Sequence, residues 1–180
     1  MHANSFTVWT PMAGPAPLRP LASLLAALDV AVSWILCVAM GVMVAVVGAQ
    51  VALRYGFNSS LDWADEIARL TFVASIFLAI ALGIKTGSHI GVEIFVARFP
   101  RALRGALARV IALVCAAALL LVAWEALTVA IDQWDELMGA VNASNGWFLV
   151  PLVVGGVHGA LHLLWIALNG PARTVAVATE

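Results

Sequence analysis

Few residues in this sequence could do chemistry, and they lie far apart. His158 and His162 stand four apart, on one face of a helix. Two histidines raise haem ligation, the basis of a haem or quinone membrane anchor. One haem takes its axial ligands from opposite sides of the iron, however, and adjacent turns of one helix lie on the same side. Packing or interhelical hydrogen bonding is the expected role. Glu125 is a lone acid in an apolar run. It could serve a small proton-coupled exporter, or simply reach outward toward Asp132 and Asp135. Glu66 and Arg69 are three apart and share a helix face. Charges at the edge of an apolar run are usually paired or functional, so a polar anchor is expected there. Cys37 and Cys115 sit in apolar runs without metal-type spacing and read as buried thiols. The sequence has no GxxxxGK[ST] loop, no HExxH and no nucleophile elbow. No catalytic residues, bound cofactor or metal ligands are expected, and the chain does not read as an enzyme.

The elements that must position these residues follow from composition. The chain has 180 residues, 63% hydrophobic and 11% charged, against roughly 25% charged in soluble domains. The expected fold class is all-α: an integral membrane protein, one membrane domain over 1–180, in contact with the lipid bilayer. No basic patch with interleaved aromatics suggests nucleic-acid binding. A span needs about 20 apolar residues. Residues 30–53, 109–131 and 146–168 qualify directly. The uncharged run from Leu70 to Ile84 has 15 residues, or about 22 Å of helix, which is too short. Extending it back to Leu61 gives a second span over 61–84, with Asp62 or Ser60 as cap and Trp63 as an interfacial aromatic. Residues 1–20, rich in proline, read as a flexible tail.

Lys and Arg set the orientation. Arg19, Lys85, Arg98, Arg101, Arg104, Arg109 and Arg173 fall on one side of a four-span layout. The positive-inside rule then places both termini and the middle loop in the cytoplasm. The middle loop mixes Ile90, Val92, Ile94, Phe95 and Phe99 with arginines before Pro100, the pattern of a short cytoplasmic amphipathic helix between spans two and three. Small residues form stripes on span one (Gly41, Ala45, Gly48, Ala49), on span two (Ala64, Ala68, Ser75, Ala79) and on span four (Gly155, Gly156, Gly159), suited to close helix contact. Without matched broken helices or an internal repeat, the chain reads as an accessory subunit.

The stretch LDWADEIARLTFVASIFLAIALGIKTGSHIGVEIF, residues 61–95, resembles the small membrane subunit (DctQ-type) of TRAP, or tripartite ATP-independent periplasmic, transporters. The resemblance rests on Trp63, Asp65, Glu66 and Arg69, then Gly87, His89, Ile90 and Glu93, then Pro100 and Arg101. It departs in having Asp65 where Glu is frequent and Glu93 where Asp is frequent. The resemblance implies a bacterial inner-membrane subunit partnered with a large DctM-type subunit, on which Na⁺ is expected, and with a DctP-type periplasmic binding protein that delivers an organic acid. It implies a bracing role, with Trp63, Asp65, Glu66, Arg69, Gly87, His89 and Glu93 as structural or partner-interface residues. The acidic outer residues Asp132, Asp135 and Glu136 are candidates for docking the binding protein.

Overall fold

The computed structural model describes residues 19–85 and 100–169. They form helix α1 (Arg19–Gly56), helix α2 (Ala64–Lys85), helix α3 (Arg101–Asp132), a 3₁₀ turn (Asn145–Phe148) and helix α4 (Val150–Asn169). The architecture is all-helical, and four stretches are long and apolar enough to cross a membrane. The amphipathic segment expected around Gly87, His89 and Glu93, and the tail up to residue 18, lie outside the described residues.

The helix limits differ from the expected spans for physical reasons. Helix α1 begins eleven residues before Val30, because Asp29 does not end the apolar run but lies inside it. Helix α2 starts at Ala64, not Leu61. Residues 61–63 form a turn closed by Ala64 N–H donating to the Leu61 carbonyl, and the Trp63 carbonyl accepts from Ile67 N–H. Trp63 itself therefore precedes the first helical residue, in place of Asp62 or Ser60. With Lys85 included, the 22 residues of α2 still reach about 33 Å. Helix α3 starts directly after Pro100, which lacks an N–H to continue a helix behind it and fits at its head. The last span is two pieces, the 3₁₀ turn and then α4, with Pro151 in the first turn of α4.

The helices form an open row, not a closed bundle. Helix α4 packs on both α2 and α3, α1 packs on α2, and α1 meets α4 only sparsely. Among the described residues α3 does not pack against α1 or α2. Small side chains fix this order. Helix α3 turns Ala112, Ala116, Ala123, Ala126 and Ala130 inward, and Gly156 lies where a Cβ would be 3.1 Å from Ala123 Cβ. On the other flank of α4, a Cβ on Gly155 would strike the Phe77 carbonyl oxygen and come 2.8 Å from its carbon. Gly159 fits between Ile84 and Leu119. Two backbones can thus approach α4 from both sides. By contrast, Gly41, Gly48 and Gly83 have open space around them, and Gly41, Ala45, Gly48 and Ala49 are exposed. Among the described residues nothing packs into the stripe on α1.

Replacing Gly155 with Val should therefore push α2 from α4 and lower stability by about 1–3 kcal/mol. Gly48→Ala should leave stability unchanged or slightly raised. Unfolding in mixed micelles, followed by far-UV circular dichroism, separates the two.

Candidate functional site

Two polar constellations tie the row together, one at each end of α2. The first was not apparent as a site in the sequence. On α1, Leu25, Asp29 and Val32 are all buried and share one helix face, so Asp29 occupies a core position. It faces Lys85 of α2 and the middle of α4. Asp29 Oδ2 accepts from Lys85 Nζ at 2.6 Å. Asp29 Oδ1 contacts His158 Nε2 at 2.9 Å and His162 Nε2 at 2.8 Å. The two Nε2 atoms are 3.2 Å apart, and Asp29, His158 and His162 are each at most 4% exposed. An imidazole facing a carboxylate oxygen presents N–H there, because a bare nitrogen would set lone pair against lone pair. His158 Nδ1 is buried without a partner among the described residues.

This arrangement makes physical sense as a compensated charge. An isolated carboxylate inside an apolar row would be expensive, and pairing plus hydrogen bonding offsets that expense. Lys85 can do this because it ends α2, where its long stem places the ammonium against Asp29 while its side chain keeps 17% exposure. The result links three helices, and it joins α1 to α4 where they otherwise scarcely touch. It also gives His158 and His162 the interhelical hydrogen bonds expected of them. With Nε2 atoms 3.2 Å apart on one carboxylate oxygen, the pair cannot bracket an iron, and the haem-anchor alternative loses its motive.

The second constellation lies at the opposite end of α2. Glu66 is half-buried and accepts from Ala140 N–H at 2.9 Å through Oε1 and from Val141 N–H at 2.7 Å through Oε2. It thereby satisfies two backbone donors in the loop between α3 and the 3₁₀ turn. A Cβ on Gly139 would stand 3.3 Å from Glu66 Oε1, so a small residue suits that approach. Arg69 does not pair with Glu66; its guanidinium lies 5.6 Å from the centre of the Phe148 ring, a cation–π distance. The loop is further closed by Met138 N–H to Ala143 O and Asn145 N–H to Glu136 O, and the Trp134 and Trp147 rings pack at 5.9 Å. Trp63, Asp65, Asp132, Asp135 and Glu136 are exposed. Asp65 lines an open polar cleft of about 470 Å³ with Arg54 and Asp62, between α1 and α2. Glu125 is exposed on α3. Gly87, His89 and Glu93 lie outside the described residues.

The sequence from residue 43 to residue 170 matches the family model described as tripartite ATP-independent periplasmic transporters, DctQ component. The chain belongs to the DctQ family of TRAP transporter small permease subunits. Among its relatives, a protein of Haemophilus influenzae named as a TRAP transporter small permease is 27% identical over 131 residues, covering 72% of this chain and 79% of that one. The sialic acid TRAP transporter small permease protein SiaQ of Vibrio cholerae is 27% identical over 121 residues, covering 66% and 68%. In this DctQ-family chain the family match takes in Lys85, His158, His162 and the Glu66 clamp, while Asp29 precedes it.

The sequence signal for the first constellation was present: an acid in helical register with Leu25 and Val32. Removing only one partner should be costly. Asp29→Ala leaves Lys85 and two imidazoles without their acceptor and should destabilise by about 3–5 kcal/mol. The Asp29→Leu/Lys85→Met double variant should recover much of that loss. Denaturant unfolding of the single and double variants measures the difference. For the second constellation, Glu66→Ala should speed amide exchange at Ala140 and Val141 selectively, seen by hydrogen–deuterium exchange.

Proposed function

We propose that this chain is the static brace of a TRAP transporter, holding a large Na⁺-coupled membrane subunit that takes up an organic acid delivered by a periplasmic binding protein. The observation that supports this best is the pinning of α2 at both ends, by Asp29–Lys85 at one and by Glu66 with the Ala140–Val141 backbone at the other. A transport domain that moves across the membrane needs a reference that does not. Polar ties at both rims make the row rigid in the direction along which such a partner would slide. The open row also leaves broad apolar faces, including the unused small-residue stripe on α1, available to another membrane protein.

In this reading the chain lies in the bacterial inner membrane with both termini cytoplasmic. Asp29 and Lys85 then sit toward the cytoplasmic rim and the Glu66 clamp toward the periplasm. The exposed Asp132, Asp135 and Glu136 face the binding protein. The chain carries neither substrate nor Na⁺ itself, and transport requires the large subunit.

The direct test labels α2 and α3 with a spin pair in the reconstituted transporter and measures their distance by pulsed electron resonance, with and without Na⁺ and substrate-loaded binding protein. The distance distribution should stay the same throughout. A shift of several ångströms would show that this subunit moves and would sink the brace. Charge reversal at Asp132, Asp135 and Glu136 should weaken binding-protein stimulation at low salt and matter less at high salt, because exposed charges are screened. Uptake assayed over a salt series checks this.

A further inference from the structure

The polar triangle of Asp29 Oδ1, His158 Nε2 and His162 Nε2 has edges of 2.8, 2.9 and 3.2 Å. As a set of hydrogen bonds it is crowded. Two N–H groups converge on one oxygen and face each other, although the lone pairs of a carboxylate oxygen spread much more widely. Ligands held about 2.0–2.1 Å from a zinc-like ion lie roughly 2.9–3.4 Å apart, from right-angled to tetrahedral geometry. The observed edges lie close to that range without rearrangement. Two imidazoles and a carboxylate are the donor set of borderline divalent ions, not of Mg²⁺ or Ca²⁺. Histidines at i and i+4 on one helix are a chelating spacing.

We propose that Asp29, His158 and His162 form a binding site for a divalent transition-metal ion of the zinc, cobalt or nickel class, bridging α1 and α4. All the potential ligand atoms of this group lie within 4.8 Å of one another. Three protein ligands leave positions for water. Lys85 on Oδ2 is the built-in competitor. It supplies positive charge to the carboxylate when no metal is bound, and it raises the electrostatic cost of adding a dication. Standing at the end of α2, it can withdraw toward water. When Nε2 ligates a metal, the ring proton resides on Nδ1, and His158 Nδ1 has no acceptor. Lacking that outer partner weakens a site by about 10–100-fold, which makes this an exchangeable site and not a permanent structural one. Bound metal would tighten the polar link between α1 and α4.

The test uses the full chain without a polyhistidine tag, purified in detergent, treated with chelator and titrated with Co²⁺ and then Zn²⁺. One cobalt per chain, with visible d–d absorption that zinc abolishes, is the expected result. His158→Gln and His162→Gln should each weaken cobalt binding at least tenfold, Lys85→Gln should strengthen it several-fold, and Glu125→Gln should leave it unchanged. If the histidine variants do not fold, Cu²⁺ loaded into the wild-type chain should show electron-spin coupling to two imidazole nitrogens. Folded wild-type chain that takes up no stoichiometric cobalt, metal without imidazole coupling, or folded histidine variants that bind as the wild type does would each overturn the site. None of these outcomes depends on the bracing role.

Discussion

A single buried carboxylate constrains the rest of this chain. Asp29 lies ten residues inside α1, where neither water nor a neighbouring charge on its own helix can answer it. Three donors must therefore be brought to it from elsewhere, and the fold supplies them from two other helices. Helix α2 has to carry Lys85 beside Asp29 so that a flexible cation reaches Oδ2. Helix α4 has to present the face carrying His158 and His162. That fixes the rotation of α4, and with it Gly155 and Gly159 fall toward α2 and Gly156 toward α3. The small residues allow the close crossings, but the buried acid selects which crossing is made.

The two ends of α2 solve the same problem with different chemistry. At Asp29 a charge is buried and is met by a countercharge and two rings. At Glu66 the charge is half-exposed and is met by backbone N–H groups that would otherwise lack partners, in a loop with little secondary structure of its own. The first joins helices; the second ties a loop to a helix. Together they tie the helix row near both ends of α2, the feature on which the proposed bracing role rests.

Much of this was legible in the sequence, and the exceptions have identifiable causes. Four spans followed from apolar run length, and the shortfall after Leu70 correctly pointed to polar residues belonging to α2. The same arithmetic treats every charge as a boundary, so it starts span one at residue 30, directly after Asp29. Helix α1 can continue through it because Lys85 and the two histidines compensate the acid, and those partners are distant in sequence. The interhelical use of His158 and His162 was readable; their shared acceptor was not. Likewise Glu66 could be seen as an anchor, but its partners, Ala140 and Val141, are backbone donors 74 and 75 residues away, and no side-chain pattern announces them.

The open row has a consequence for α1. Among the described residues it packs mainly on α2, meets α4 sparsely, and keeps its stripe of Gly41, Ala45, Gly48 and Ala49 uncovered. Apolar packing in a membrane gives little preference for one helix rotation over another, since lipid is as apolar as a neighbouring leucine. A buried ion pair with two further hydrogen bonds does discriminate, because turning α1 would strand the carboxylate in hydrocarbon. The polar tie at Asp29 thus sets which face of α1 is turned away from this chain, and therefore which small residues are presented outward. Orientation of the outermost helix is decided by the buried charge of Asp29, not by its many apolar contacts.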